Sequence, residues 1–256
     1  MKKRKPNLKD YDPPTTLQPS LAPEKKLWRK GYKRVACLDE AGRGPLAGPV
    51  VAAAVTISSN LKAQSSKPQL KTKNLLKEIR DSKKLSSKKR EEFYKIITNQ
   101  PAIKWGIGVA SERMIDKINI LEATKLAMQK AILNLERKLQ KISDRGKFVK
   151  LKKIDFLILD GIIKLNLPIS QKSIIKADEK VFSCACASIL AKVTRDKIMV
   201  RYHKKYPQYG FDKHKGYPTK KHLAMLKKYG PCQIHRKSFK PVIKFKVQSL
   251  KRKIIT

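Results

Sequence analysis

Acidic side chains are scarce in this 256-residue chain, and four of its 20 stand where apolar segments end or a helix is expected to begin. Asp39 and Glu40 follow one apolar strand pattern, Asp160 follows another, and Asp178 comes shortly after a third. A carboxylate at a buried strand end costs free energy unless a cation compensates its charge. If the four converge, they provide the hard oxygen ligands that Mg²⁺ or Mn²⁺ prefers.

Two such ions about 4 Å apart can activate water and stabilise the leaving oxygen in phosphodiester cleavage. The alternative for each acid is structural, since Asp39 or Asp160 could cap a turn and Asp178 could cap its helix. Asp196 lies on the same predicted helix as Asp178, but roughly 27 Å further along at 1.5 Å per residue. We therefore interpret Asp196 as structural, paired with Arg195, Arg201 or a C-terminal cation.

The charge of the chain indicates a polyanionic partner. Lys and Arg number 61 against 20 Asp and Glu, which gives a formal net charge of +41 and an isoelectric point near 10.3. Nucleic acid is the commonest partner of such a field. Because Lys dominates over Arg, codon bias in an AT-rich genome is an alternative source of part of this excess. Charge does not say which nucleic acid is bound.

A glycine-rich turn, Gly42 to Gly48 (GRGPLAG), follows the first acidic pair. It differs from the dinucleotide-binding fingerprint because its third glycine comes one residue late and no acid follows about 20 residues on. Asp39 and Glu40 would also repel a pyrophosphate. Two glycines beside a metal site instead favour close backbone approach to a nucleic-acid sugar, with Arg43 offered to a phosphate.

The elements that must position these groups alternate between strands and helices after an opening hairpin. The predicted strands are 35–38, 50–57, 103–110, 154–159 and 174–175, and the predicted helices are 86–97, 121–139, 178–204 and one that ends at Tyr229. This order predicts an α/β sheet of about five strands flanked by helices, with a helical C-terminal appendage. The acids then lie at the rim where open α/β sheets bind ligands.

We expect four segments: a basic flexible arm (1–30), a catalytic domain (31–205), a C-terminal helical substrate-binding subdomain (206–243) and a basic tail (244–256). No apolar run approaches the ~20 residues of a membrane span, and the N-terminus lacks the apolar region of a secretory signal. The four cysteines have no zinc spacing and do not make a disulfide framework. A reduced, cytoplasmic monomer is the simplest expectation.

Several long motifs resemble bacterial ribonuclease HII, in the same order and with similar spacing over residues 32–242. They are Leu38–Val50 (LDEAGRGPLAGPV), Asp81–Leu85 (DSKKL), Leu159–Gly161 (LDG), Ala187–Asp196 (ASILAKVTRD), Tyr209–Phe211 (YGF) and His214–Tyr217 (HKGY). The resemblance implies a ribonuclease H-like fold and an endonuclease of RNA–DNA hybrids that also incises 5′ of single ribonucleotides in duplex DNA. It implies hydrolysis to a 3′-hydroxyl and a 5′-phosphate, and a place in ribonucleotide excision during DNA replication and repair.

The same resemblance assigns roles to individual residues. The implied metal ligands and catalytic residues are Asp39, Glu40, Asp160 and Asp178. Gly42, Arg43 and Gly44 would sense the ribose 2′-hydroxyl at an RNA–DNA junction, and Tyr217 would stack on the sugar of the next deoxynucleotide. Lys84 is a candidate contact near the scissile phosphate, and its alternative is a solvated loop charge.

The chain departs from the family pattern at two places near the proposed ligands. Ile162 stands where the family commonly has Asn after Asp-Gly, and Ala177-Asp178-Glu179 replaces the usual Gly-Asp-Ser. Neither departure removes a ligand, but each could alter metal preference or rate. Two other function classes stay open: a non-catalytic duplex-binding protein on the same fold, which would need a carboxylate replaced, and a phosphoryl transferase, for which no nucleotide-cradling loop is present.

Overall fold

The computed structural model describes residues 19–58, 79, 85–139 and 153–245. Its strands are β1 (Val35–Ala41), β2 (Val50–Ile57), β3 (Ile103–Ala110), β4 (Phe156–Asp160) and β5 (Ser170–Ile174). Its helices are α1 (Ala22–Arg29), α2 (Ser87–Asn99), α3 (Glu112–Leu139), α4 (Phe182–Lys205), α5 (Phe211–His214) and α6 (Lys220–Tyr229). The predicted five-stranded sheet with flanking helices and C-terminal helices is confirmed.

The five strands form one mixed sheet in the order β3-β2-β1-β4-β5. β1, β2 and β3 pair antiparallel, so the predicted opening hairpin is confirmed, whereas β4 pairs parallel to β1 and β5 parallel to β4. The parallel half brings the carboxyl ends of β1 and β4 to the same edge. Residues at the carboxyl ends of these two strands therefore meet at one rim of the sheet.

Alternation along the strands divides the core into two layers, because successive side chains point to opposite faces. Residues such as Leu38 and Leu159 pack against α3, while their neighbours Cys37 and Ile158 pack on the other face with α1 and the start of α4. Asp39 comes two positions after Cys37 and Asp160 two positions after Ile158, so their side chains point to the same face as Cys37 and Ile158. Both carboxylates consequently belong to the face of the sheet that α4 covers.

Two predicted helix starts differ from the structure. α3 begins at Glu112 rather than Leu121, and it is broken at Asn119, whose φ is 65°. The Asn119 side chain accepts hydrogen bonds from the N–H groups of Leu121 and Glu122. It therefore caps the second part of α3, which is the helix predicted over residues 121–139. Asp178 lies in a 3-10 turn (Ala177–Glu179) and α4 starts at Phe182, so the alternative that Asp178 merely caps this helix is wrong.

The flexible arm that we expected over residues 1–30 is also wrong in its C-terminal part. Residues 22–29 form helix α1, with Glu24 and Leu27 buried. One Glu24 carboxylate oxygen accepts hydrogen bonds from the N–H and the hydroxyl of Ser183, at 3.1 and 2.6 Å. Because Ser183 is in the first turn of α4, where backbone N–H groups lack helical partners, α1 caps this helix. Residues 1–18 lie outside the described residues.

This boundary changes the expected result of truncation. Removing residues 1–18 should weaken duplex binding and reduce its salt dependence, since each lost phosphate contact removes about 0.9 from the slope of log K against log salt. The cleavage position should stay unchanged. Removing residues 1–30 should additionally lower the melting temperature, because Leu27 and the Glu24 cap are lost. Salt titrations and thermal melts of both truncations test this, and a shifted cleavage site in the shorter truncation would contradict it.

Within the described ranges, no helix is long and apolar enough to cross a membrane. The segment expected as a separate C-terminal subdomain contacts the rest of the chain through the glycine-rich turn. Leu46 receives a backbone hydrogen bond at its carbonyl from Arg236 and donates one to Gly216, and Ala47 forms a β-bridge with His235. The division into domains at residue 205 therefore stays a prediction. In the structure, residues after this boundary contact the glycine-rich turn, which lies before it.

Candidate active site

Three aspartates converge at the rim of the sheet. The register of β1 against β4 pairs Leu38 with Leu159, so the next positions, Asp39 and Asp160, are side by side. β5 pairs Ile174 with Asp160, and the 3-10 turn after β5 returns Asp178 to the same place. One carboxylate oxygen from each of the three lies within 4.8 Å of the other two. A single metal ion could be held by all three.

Backbone N–H groups hold this cluster in place, and its carboxylates repel one another. Asp39 accepts a hydrogen bond from the N–H of Glu40, and Asp160 accepts one from the N–H of Ala177, both at 2.6 Å. Burial raises the pKa of Asp39 well above its ordinary value, and the negative charges of Glu40, Asp160 and Asp178 raise it further. Buried carboxylates in mutual repulsion are stabilised by a cation, so the donor set fits a divalent ion.

Glu40 lies beside the cluster without belonging to it. Its carboxylate accepts a hydrogen bond from Arg43 at 3.3 Å, and its side chain is 12% exposed. The structure therefore brings together three of the four expected ligands and pairs the fourth with the arginine of the glycine-rich turn. Its role as a ligand stays a prediction.

The two glycines of the turn have different reasons to be glycine. Gly42 has a φ of +101°, and a methyl group there would stand 2.0 Å from Nε of Arg195 and 2.8 Å from the carbonyl oxygen of Pro49. Gly42 therefore serves the internal packing of the turn, and its contact with substrate stays a prediction. Gly44 differs, because among the described residues the only atom within 4 Å of a methyl group placed there is Cε1 of Tyr217, at 3.8 Å.

Tyr217 forms the other side of the space over Gly44. Its side chain is 40% exposed, although its backbone is fixed by hydrogen bonds to His214 and His222. The guanidinium of Arg195 and the ammonium of Lys192 each lie 5.9 Å from the centre of the ring. An exposed, anchored aromatic ring beside a backbone turn is a suitable surface for a sugar.

Two arginines for which the sequence indicated no role at this turn lie beneath it. Arg195 and Arg236 are fully buried, and their guanidinium groups donate to backbone carbonyls of the turn and of Lys215. Burial lowers the pKa of Arg195 to about 10 and that of Arg236 to about 9, so both remain cations at neutral pH. Asp196, which we expected to pair with Arg195, Arg201 or a C-terminal cation, instead pairs with Lys192 at 2.8 Å.

The aromatic C-terminal segment is packed around its histidines. His222 and His235 are buried and their Nε2 atoms are 3.0 Å apart, while Nδ1 of His222 lies 2.9 Å from the carbonyl oxygen of Tyr217. Burial lowers the pKa of His222 to about 4 and that of His235 to about 3, so both are neutral at physiological pH. His222 therefore supports the Tyr217 backbone from inside, and His235 packs behind His222.

The remaining candidates lie at the margin of the site. Lys84 falls outside the described residues. Ile162 is 85% exposed beside Asp160, and the carboxylate of Glu179 pairs with Lys176 at 3.2 Å. Neither departure from the family pattern enters the three-aspartate cluster. All four cysteines are unbridged, and three of them are buried.

The model of one protein family, Ribonuclease HII, matches residues 36–242 of this chain. The chain belongs to the ribonuclease HII family. It is therefore a ribonuclease H, a hydrolase with endonuclease activity, and the enzymes of this family act on RNA–DNA hybrids and depend on divalent metal ions. All three clustered aspartates lie inside the matched range.

Individual relatives agree with this assignment. Ribonuclease HII of Caldanaerobacter subterraneus subsp. tengcongensis is 47% identical over 216 residues, which cover 84% of this chain and 78% of the relative. The crystal structure of ribonuclease H2 from Pyrococcus horikoshii superposes with a TM-score of 0.60 at 25% identity, covering 85% of this chain and 99% of that one. Bst-RNase HIII, solved in complex with Mn²⁺, shares the fold with a TM-score of 0.63 at 15% identity, covering 86% and 70%.

Proposed function

We propose that this chain cuts the RNA strand of RNA–DNA hybrids and also incises duplex DNA on the 5′ side of a single ribonucleotide. The reaction is a metal-dependent hydrolysis that leaves a 3′-hydroxyl and a 5′-phosphate. The observation that carries the proposal is the convergence of Asp39, Asp160 and Asp178 at one rim of a ribonuclease H-like sheet, with their carboxylate oxygens within 4.8 Å of one another.

Asp39, Asp160 and Asp178 would hold the first divalent ion, Mg²⁺ or Mn²⁺, and Glu40 would join them for a second. Bound there, the ions supply an activated water and stabilise the leaving oxygen. The chain itself contributes the fixed orientation of the carboxylates, since backbone N–H groups of Glu40 and Ala177 each hold one oxygen. Two properties of the carboxylates favour the binding of divalent ions here: they are hard oxygen donors, and they repel one another when no metal is bound.

The gap between Gly44 and Tyr217 supports the claim that single ribonucleotides are substrates. Gly44 presents backbone without a side chain, and Cε1 of the Tyr217 ring lies 3.8 Å from the position that a methyl group on Gly44 would occupy. A 2′-hydroxyl distinguishes RNA from DNA at one nucleotide, and backbone groups of the turn Gly42, Arg43 and Gly44 would contact it. Tyr217 would stack on the following deoxyribose. Such recognition needs one ribonucleotide rather than a run of them.

The basic surface would supply most of the affinity for the duplex, because a net charge of +41 favours phosphate contacts of any sequence. Lys84 would add a contact near the scissile phosphate. We further propose that the protein acts as a cytoplasmic monomer on newly replicated or repaired DNA. The catalytic unit would span residues 31–205, with residues 206–243 contributing Tyr217.

A labelled RNA strand in an RNA–DNA hybrid tests the metal requirement and the products. Cleavage is expected with Mg²⁺ or Mn²⁺ and is expected to stop in EDTA, because the carboxylates alone activate no water. Products should be extended by a DNA polymerase from their 3′ ends, as a free 3′-hydroxyl allows. Undiminished cleavage in EDTA, or products that end in a 3′-phosphate, would contradict the proposed chemistry.

A further inference from the structure

Arg236 makes an unusual set of contacts for a buried cation. One terminal nitrogen donates to the carbonyl oxygen of Arg43 at 2.8 Å, and the other donates to those of Gly42 at 2.6 Å and Pro49 at 3.2 Å. Its Nε donates to the carbonyl oxygen of Gly48 at 2.9 Å. No carboxylate in the described parts of the chain lies within salt-bridge distance of this guanidinium. All of these hydrogen bonds go to backbone carbonyl groups at the two ends of one turn.

These contacts fix the direction of two successive peptide groups. In a planar trans peptide the N–H points opposite to the C=O. Since Arg236 holds the carbonyl oxygens of Gly42 and Arg43 on its buried side, the N–H groups of Arg43 and Gly44 point away from it. Neither N–H has an acceptor among the described residues. Two adjacent, unpaired donors thus emerge at the turn, beside the open space at Gly44.

Arg195 braces the same turn from α4. It donates to the carbonyl oxygens of Pro49 at 2.9 Å, Ala47 at 3.1 Å and Lys215 at 3.0 Å. The last contact ties the turn to the segment that carries Tyr217. A planar guanidinium presents five donors in a fixed fork, so neither arginine is replaced by lysine without losing contacts.

We propose that Arg236 is a positioning residue for substrate recognition, which orients the N–H groups of Arg43 and Gly44 toward the sugar and phosphate of the ribonucleotide. Arg195 supports it by joining the turn to the Tyr217 segment. This inference rests on the proposed function, because it names the residue that prepares the junction-reading turn. It predicts that Arg236 acts on the recognition of one 2′-hydroxyl rather than on general duplex affinity.

The test measures equilibrium binding in EDTA, where no cleavage is expected, to two DNA duplexes that differ by a single 2′-hydroxyl. The wild-type protein is expected to prefer the ribonucleotide duplex about tenfold, in proportion to one or two net hydrogen bonds. Arg236→Lys and Arg236→Gln should reduce this preference to about twofold or less, with affinity for the all-DNA duplex within about twofold of wild type. Arg137→Lys, an exposed arginine at the end of α3, is the matched control and should keep the full preference.

Two results would overturn the inference. Folded Arg236 variants that keep the tenfold preference would show that the arginine only stabilises the turn. A wild-type protein that binds both duplexes equally would instead contradict junction recognition itself, and the inference with it. If both variants fail to fold, amide hydrogen exchange of the wild-type protein decides. The Arg43 and Gly44 amides should be protected by the ribonucleotide duplex and not by the all-DNA duplex, and equal protection by both would refute the proposal.

Discussion

Asp160→Asn is expected to lower the cleavage rate of an RNA–DNA hybrid by at least about 1,000-fold, or about 4 kcal/mol of transition-state stabilisation. Asn keeps the size of the side chain but removes one charge from a site whose three carboxylates we propose to hold a metal together. Asp39→Asn and Asp178→Asn should have effects of similar size. Duplex affinity should change little, because we expect the lysine-rich surface to provide most of it.

Thermal melts separate a lost metal site from a lost fold. The wild-type protein should melt at a higher temperature when Mn²⁺ replaces EDTA, because a ligand that binds only the folded state stabilises it. The three Asn variants should melt near the wild type in EDTA and gain little from Mn²⁺. Asp196→Asn is the matched control, since this residue pairs with Lys192 outside the cluster, and it should keep activity. Near wild-type turnover by Asp160→Asn would show that this ligand set is wrong.

Changes on either side of the gap between Gly44 and Tyr217 should abolish most incision at a lone ribonucleotide. Tyr217→Ala removes the ring expected to stack on the neighbouring sugar. We expect a loss of the size found when a ring that stacks on a base is removed, about 1–3 kcal/mol, or about 5- to 150-fold. Gly44→Ala adds a methyl group to open space, so the protein should fold normally while the sugar is held away from the backbone. Single-turnover rates on a labelled duplex measure both effects.

The controls for this pair keep the fold and change the chemistry separately. Tyr217→Phe retains the ring and should retain most activity. Tyr229→Ala removes an exposed tyrosine from the end of α6 and should leave incision unchanged. The Mn²⁺-induced rise in melting temperature should persist in Tyr217→Ala, because the ring is outside the carboxylate set. Full junction activity in both Gly44→Ala and Tyr217→Ala would contradict the proposed recognition.

The carboxylate cluster could be predicted from the sequence because strand patterns end at its members. Asp39 and Asp160 each follow an apolar run, and a parallel register then places them side by side. Asp178 was placed near them by its position after a short apolar segment, although its local structure, a 3-10 turn rather than a helix start, was not foreseen. The cluster could therefore be predicted from apolar runs that end in an acid, together with the rule that the carboxyl ends of parallel strands meet at one edge of a sheet.

The supports of the site could not be predicted in the same way, because their partners are distant in sequence. Helix α1 lies in a lysine- and proline-rich segment whose composition does not predict a helix. Glu24 of this helix is buried because it accepts a hydrogen bond from Ser183, which is distant in sequence. Arg236 offers no local sign of its role, since its carbonyl partners lie almost 200 residues earlier. From the sequence alone, an arginine in such a basic chain is expected to be one of many surface charges, whereas the structure shows Arg236 buried.

We propose above all that this site recognises a single ribonucleotide and hydrolyses the bond on its 5′ side. The most direct measurement is incision of an end-labelled DNA duplex that contains one ribonucleotide, beside an all-DNA duplex of the same sequence and with Mg²⁺ or Mn²⁺ present. We predict one product from the first duplex, cut 5′ of the ribonucleotide, and none from the second. Cleavage only of uninterrupted RNA stretches, with the lone ribonucleotide ignored, would contradict the roles of Gly42, Arg43, Gly44 and Tyr217.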